Sequence, residues 1–361
     1  MMFLDTKRQW PLNAWYHASW AHEIGGEKPL ARTFLNEKVV LFRNAEGDAC
    51  ALEDRCCHRA TPLRLGDVVD EGLQCGYHGM IFNGAGDCVK IPGQDKIPPY
   101  ARVRSYPLLE HQEIIWIWMG DPALATEDKL LVDFPWNDDH ENWPHIHDMY
   151  EVNCNYMLLI DNLMDLTHIP YIHRNTIGGG DQRGQVNATM DVTALDTGVH
   201  YIRWMENIVP PPTYVKGAGF KDGVCVDRWQ EFEYIVPSTV AQWTGALEEG
   251  RGAKDNRNQS GGFNIRLYHG VTPKTESSCY YFWTPLNGYQ PKDEEATKLL
   301  HKEIAFTFNE DIEFLESQQS CMAKTMHQTF VDIKHDSARV PARRAIERMI
   351  RNELEEHVAA E

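Results

Sequence analysis

The 361 residues carry 53 acidic and 35 basic side chains, a formal net charge of −18, with 42% hydrophobic and 24% charged positions. That balance belongs to a soluble globular protein and argues against nucleic-acid or anionic-membrane partners, which need a basic footprint. No run approaches the roughly 20 apolar residues of a membrane span, and the opening MMFLDTKRQWPLNAWYHASW holds no apolar core before a small-residue cleavage site, so a cytoplasmic chain is expected.

The length suits two domains, and the pattern divides the chain at 1–122, 123–147 and 148–361. The first stretch reads as all-β. Val39–Phe42, a turn at Asn44–Asp48 and Ala49–Glu53 form one hairpin, and Met80–Phe82, Asn83–Asp87 and Cys88–Lys90 form another. The strand Ile114–Met119 closes this stretch, and an acidic connector rich in Pro and Trp follows. The remainder mixes helix and strand. Asn155 to Ile169 has helical periodicity ending at Pro170, and Val192–Asn207, Arg228–Trp243, Phe263–Val271 and Ser277–Thr284 alternate like strands of one antiparallel sheet. Residues 177–182 and 249–262 read as mobile surface loops. A long helix follows Pro291, and another starts near Pro341.

Nine cysteines spread along the chain make a poor disulfide framework and fit a reducing compartment with some thiolates on metal. Cys56 and His58 form one pair, and Cys75 and His78 form a second after a gap of sixteen residues. Two thiols and two imidazoles can hold a structural zinc. Zinc fingers, however, pair Cys with Cys and His with His, whereas both pairs here are mixed. Mixed pairs suit a [2Fe–2S] cluster in which Cys56 and Cys75 take one iron and His58 and His78 the other. Cys57 lies outside the motif and is expected to be a packed thiol.

A second constellation lies in DNLMDLTHIPYIHRN, Asp161 to Asn175. Asp165 and His168 are helix-surface neighbours, and His173 lies just past Pro170, free to turn back toward His168. Two imidazoles so placed either form a satisfied core pair or await a carboxylate to complete a facial triad for non-haem Fe(II). On the helix after Pro291, Leu300, Ile304, Phe308 and Leu315 make a stripe about 80° wide. Asp311 falls inside that stripe, while Glu310, Glu313 and Glu316 point away. A buried Asp needs an Arg or a metal, and with two histidines wanting an anion, Asp311 is the expected third ligand.

The CCHR…CGYHG motif resembles the Rieske iron–sulfur domain, and the whole chain resembles the Rieske non-haem iron oxygenases. Asn162, Asp165, His168 and His173 match that family's Asn-x-x-Asp-x-x-His-x-x-x-x-His motif, and Asp311, in NEDIEFLESQQ, matches its late carboxylate ligand. More narrowly, segments such as NAWYHASW, RWMENIVPPP, VDRWQ and TPKTESSCYYFW resemble the vanillate O-demethylase, dicamba monooxygenase and toluenesulfonate methyl-monooxygenase group.

The resemblance implies an α+β chain: an N-terminal all-β Rieske domain and a C-terminal catalytic domain with an antiparallel sheet covered by helices in a helix-grip-like arrangement. It implies a [2Fe–2S] cluster, a mononuclear non-haem Fe(II), O₂ as co-substrate, and electrons from NAD(P)H through a separate reductase, with or without a ferredoxin. It further implies a head-to-tail homotrimer, because the two metal sites of one chain are expected to lie too far apart for fast electron transfer. In that ring His78 would donate to Asp165 of the next chain, and Asp165 would accept from His168; capping within its own helix is the competing role for Asp165. Asn162 either holds a water or orients substrate near the iron, or caps a buried backbone group. His269, matching a substrate contact of a relative, and Gln242 are the expected contacts to an aromatic acid, His269 as a neutral donor or an imidazolium. The implied reaction is O- or N-demethylation or methyl hydroxylation. The competing readings are a ring-hydroxylating dioxygenase, a non-enzymatic Rieske electron carrier and a zinc-stabilised binding protein.

Overall fold

The computed structural model describes residues 9–179, 182–324 and 330–360, so Gly180 and Asp181 of the expected 177–182 loop lie outside the described residues. Two compact units result: residues 10–130 with 272–276, and Gln9 with 131–271 and 277–360. The expected connector is thus divided. Its first part belongs to the first unit, where the Trp15 indole donates to the Thr126 carbonyl at 3.0 Å. Its second part belongs to the other unit.

The first unit is built of β1 (Trp15–Trp20), β2 (Leu30–Phe34), β3 (Glu37–Arg43), β4 (Ala49–Glu53), β5 (Asp67–Val69), β6 (Gly72–Gln74), β7 (Ile81–Phe82), β8 (Cys88–Lys90), β9 (Leu108–His111) and β10 (Ile114–Trp118). They form three small sheets, in the orders β1-β10-β9, β2-β3-β4 and β5-β6-β7-β8. Both expected hairpins form, and both turns use the same device. The Asn44 side-chain oxygen accepts from Asp48 N at 2.7 Å, and that of Asn83 accepts from Ala85 N and Asp87 N at 3.1 and 2.9 Å. One core links the two hairpin sheets through Val40, Phe42, Leu52, Leu73 and Phe82, and it includes Cys56 and Cys75.

The second unit contains β11 (Asp148–Val152), α1 (Tyr156–Met164), α2 (Ile169–Ile172), α3 (Gln182–Val186), β12 (Thr189–Leu195), β13 (Gly198–Ile208), α4 (Pro212–Ala218), β14 (Val226–Ile235), β15 (Thr239–Glu248), β16 (Phe263–Thr275, whose residues 272–275 are assigned to the first unit), β17 (Ser278–Asn287), α5 (Glu294–Lys324) and α6 (Arg339–Ala360). Its seven strands lie in one sheet, in the order β11-β17-β16-β15-β14-β13-β12. Two expected strands each prove to be two. Val192–Asn207 folds back at Asp196–Thr197, and Arg228–Trp243 folds back around Val236–Pro237, a cis peptide. Proline cannot donate to a ladder, so its place inside an apparent strand marked a reversal.

Alternation puts Arg228, Gln230 and Phe232 of β14, Gln242 and Thr244 of β15, and Ile265, Leu267 and His269 of β16 on one face of the sheet. The helices α1 and α5 lie over this meander. Asn155 caps α1 by accepting from Met157 N at 3.0 Å. Arg343 of α6 clasps the Asp161 carboxylate of α1 at 2.8 and 3.0 Å through its Nε. The 249–262 segment, expected to be mobile, is tied: Arg251 donates to the Ser260 carbonyl at 2.9 Å and Gln259 to the Arg251 carbonyl at 2.8 Å. Its Ala253 is buried with Trp229 and Leu247.

Candidate metal centres and substrate cavity

In the first unit the two Cys/His pairs sit on facing loops. Cys56 follows β4 and lies in a turn closed by its N–H to the Thr61 carbonyl at 2.9 Å, and Cys75 opens a turn closed by Gly79 N to the Cys75 carbonyl at 3.0 Å. Gly79 takes φ +72° to complete that turn, a left-handed conformation suited to glycine. At Gly76 a side-chain carbon would run into the Leu65 carbonyl, so the absence of one lets the second loop close against the first. Both thiols are buried at 2% and 1% exposure, whereas His58 and His78 are exposed with ring centroids 4.6 Å apart. Burial is the main cause that pushes the Cys56 thiol up to about 11, and Cys75 beside it adds to the rise.

This geometry separates the two readings of the motif. A single tetrahedral ion requires all its donors close together, yet no three of these four side chains gather donor atoms within 4.8 Å of one another. The thiols pair with each other and the imidazoles pair with each other, which fits a two-iron cluster bridging between them. Cys57, expected to be packed, is exposed. Its neighbour's side chain turns inward, which sends its own toward solvent.

In the second unit the expected continuous helix from Asn155 to Ile169 breaks at Asp165 rather than at Pro170. Asp165 is extended at φ −135°, and Pro170 sits in the first turn of α2, where its missing N–H costs nothing. The Asp165 carboxylate caps the new turn, its Oδ1 accepting from Thr167 N at 2.9 Å and from the Thr167 hydroxyl at 2.7 Å. The expected donation from His168 to that carboxylate is not made; His168 meets the Asp165 backbone carbonyl instead, through Nδ1 at 2.7 Å. The break swings His168 and His173 toward α5.

There Asp311, 6% exposed, projects into the same space. Its Oδ1 lies 3.1 Å from His173 Nε2 and 3.4 Å from His168 Nε2. Asn162 fastens the same oxygen from α1, donating through Nδ2 at 3.0 Å, rather than capping a backbone group. Glu310, expected to point away, turns back and meets His173 Nδ1 at 2.9 Å. Both imidazoles therefore have Nδ1 occupied and Nε2 aimed inward, which fixes the tautomer that metal binding needs. The three donors fall within 4.8 Å of one another and can hold one metal ion with faces left open. Burial pulls the His168 imidazole downward and outweighs the opposing pull of Asp311 and of the Asp165 carbonyl. Burial acts on His173 too, but two acids, Asp311 and Glu310, outweigh it and raise that group.

A cavity opens from this triad between α1, α5 and the inner face of the sheet, with Leu163, Phe232, Ile265, Leu267, Ile304 and Phe308 among its apolar walls. His269 and Gln242 line it together and are bonded to each other. The Gln242 amide oxygen can only accept, so His269 Nε2–H donates at 2.9 Å, and His269 Nδ1 meets the Tyr281 hydroxyl at 2.7 Å. Complete burial drives the imidazole down to about 3, so it is neutral and the imidazolium alternative fails.

No helix among the described residues is long and apolar enough to cross a membrane. The Rieske [2Fe-2S] domain family matches residues 14–107, and the vanillate O-demethylase oxygenase C-terminal domain family matches residues 152–352. The chain is 39% identical to the putative toluene-4-sulfonate monooxygenase system iron-sulfur subunit of Comamonas testosteroni, over 94% of this chain and 97% of that one. It is 35% identical to a vanillate O-demethylase oxygenase subunit of a Pseudomonas strain, over 97% and 98%. A crystal structure of dicamba monooxygenase bound to 3,6-dichlorosalicylic acid superposes with a TM-score of 0.88 at 31% identity, covering 95% of this chain and 98% of that one. The chain therefore belongs to the Rieske-type oxygenase components, oxidoreductases that join a Rieske domain to a catalytic domain of the vanillate O-demethylase kind.

Proposed function

We propose that this chain is the terminal oxygenase of a multicomponent system and inserts one atom of O₂ into a C–H bond of a substituted aromatic acid. The reaction is oxidative O- or N-demethylation or methyl hydroxylation, with two electrons from NAD(P)H through a separate reductase. The observation that carries this reading is the convergence of His168, His173 and Asp311 on one mostly apolar cavity. A bare electron carrier would have no use for that set. Names among the relatives, which include O-demethylases and a sulfonate monooxygenase system, support the reaction class.

Cys56, His58, Cys75 and His78 would hold the [2Fe–2S] cluster, and His168, His173 and Asp311 the mononuclear Fe(II). When bound, these groups supply electron delivery and O₂ activation. The protein's own contribution is position. Asn162 holds the Asp311 carboxylate, Glu310 and the Asp165 carbonyl hold the two imidazoles, and the apolar walls keep water from the oxidised carbon.

In a head-to-tail homotrimer, a ring closed by one heterologous interface, His78 of one chain would meet Asp165 of the next. Asp165 Oδ1 is taken by Thr167, and Oδ2 accepts no hydrogen bond among the described residues, so Oδ2 is the free acceptor. The path to His168 then runs through the Asp165 backbone carbonyl instead of its carboxylate. Asp165→Asn keeps an oxygen for the Thr167 cap but removes the charge. Both metals should stay bound while turnover falls by about 10–100-fold, the scale on which losing a hydrogen-bonded support of a metal ligand acts. Turnover at the wild-type rate would remove Asp165 from the electron path.

The reading as a whole is tested on purified holoprotein with a surrogate reductase. About three irons per chain are expected, two in the cluster and one in the triad. Methoxylated, N-alkylated and methylated aromatic acids should give O₂-dependent product, with formaldehyde from the methoxy and N-methyl compounds. About two irons and no product would make the chain a carrier.

A further inference from the structure

One group in the cavity wall is electrostatically unmatched. Arg228 of β14 is 1% exposed and lines the cavity. Its Nε donates to the Tyr214 hydroxyl and its Nη1 to the Ile177 carbonyl, both at 3.1 Å, and the guanidinium stacks over the Tyr214 ring at 4.7 Å. Every one of these partners is neutral. Nη2 meets no acceptor, and no carboxylate forms an ion pair with Arg228 among the described residues. The adjacent strand adds positive charge instead of cancelling it. Arg203, 3% exposed, donates to the Leu166 and Gln185 carbonyls and to the Gln230 amide, again all neutral. Glu303 of α5, the acid that ties α4 in place, is taken up by Lys216 at 2.8 Å and Thr213 at 3.1 Å. A buried guanidinium without a counter-ion is costly unless an anion arrives to meet it.

We propose that Arg228 is the anion anchor of the cavity and takes the carboxylate or sulfonate of the substrate, so that the far end of the ring faces His168, His173 and Asp311. This rests on the reading of the substrate as an aromatic acid and says which side chain recognises the acid. A planar guanidinium with Nη2 and one Nη1 hydrogen unused presents two parallel donors, matching the paired oxygens of either group. The neutral His269–Gln242 pair lends shape and hydrogen bonding but no charge. The span also fits. Glu303, bonded to α4 beside Tyr214, and Asp311 are eight residues apart on α5, about 12 Å along the helix. That is room for one benzene ring with its acid at one end and its oxidisable substituent at the other.

The test titrates the iron-loaded holoprotein with benzoate and p-toluenesulfonate, and with the uncharged isosteres benzamide and p-toluenesulfonamide, by calorimetry. Wild type should prefer each anion over its amide. Arg228→Gln should weaken anion binding by roughly 30-fold or more, as expected for removing one partner of a buried charge pair, while changing amide binding less than about threefold. Arg228→Lys should restore part of the preference for the anion. Equal loss for anion and amide in Arg228→Gln would assign the residue a purely structural role and overturn the proposal. Unchanged anion binding in a variant with wild-type iron content and melting temperature would do the same. Should Arg228→Gln fail to fold, the wild-type comparison decides, because binding the amides as well as the anions overturns the anchor. An absence of iron would instead sink the oxygenase reading, and the anion titration would still judge Arg228 on its own.

Discussion

The two metal-donor sets of this chain are built on opposite plans. In the first unit four donors come from two short loops within 23 residues, fixed by turns whose every closing hydrogen bond is local. In the second, two donors come from a broken helix, and the third lies 138 residues further along the chain. The first set presents exposed histidines on a buried pair of thiols, as suits a group that must exchange electrons with partners. The second buries its donors at the end of an apolar cavity, as suits chemistry that must exclude water. A locally built site fails when its loops cannot close. An assembled site fails when one remote supporting contact is lost.

The sharpest contrast comes from Asp311→Ala. It should remove about one iron in three and abolish product formation, while the cluster's visible absorption stays intact, because nothing in the first unit depends on α5 for its donors. Loss of cluster absorption in the same variant would mean that the two sites are not independently built. Gly76→Ala is the converse. The added carbon meets the Leu65 carbonyl and holds the ligand loops apart, at a cost of about 1–3 kcal/mol as an overpacked contact. The expected outcome is about two irons lost with the triad iron retained, read by metal analysis and absorption. A full complement of cluster would refute the tight-approach argument.

Glu310→Gln should have a smaller effect. It leaves an oxygen to receive His173 Nδ1–H but removes the charge behind the imidazole. Iron should be held about 10–100-fold more weakly, measured by competition with a chelator, with cluster content unchanged. An unaltered iron affinity would reduce the 2.9 Å contact to packing.

The same contrast explains what could be read in the sequence. The Cys56–His78 motif was legible because its donors are contiguous and its turn residues sit among them. The hairpins around it were legible for the same reason, since Asn44 and Asn83 each close their own turn. Asp311 could be picked out because a carboxylate on an apolar helix stripe is anomalous at any resolution of the pattern. Glu310 could not, because helical projection places it outside the stripe and only its side-chain length brings it back to His173. The break at Asp165 was concealed by Pro170, a stronger breaker in principle that here occupies the one helical turn that tolerates it. Arg228 was invisible for a different reason. Alternation puts it on the inner face of β14, but an unmatched charge becomes apparent only once every neighbour is known to be neutral.

The smallest predicted effect distinguishes the two polar caps of the broken helix. Asn155 caps the start of α1 and Asp165 the turn that carries His168, so both should cost about 1 kcal/mol of stability when replaced by alanine. For a unit of this size that is a fall of about 2–4 °C in melting temperature. The functional outcomes should diverge. In Asn155→Ala the N-terminus of α1 still has the Gln319 side chain accepting from its backbone N–H at 2.8 Å, and the seven buried residues of the helix hold its far end in place. Its kcat and iron content should therefore match wild type. In Asp165→Ala the lost cap releases the very turn whose carbonyl fixes the His168 tautomer, so iron affinity should fall with stability. If Asn155→Ala also loosened the iron, α1 would be transmitting strain along its length, and the site would extend further than the three donors and their immediate supports.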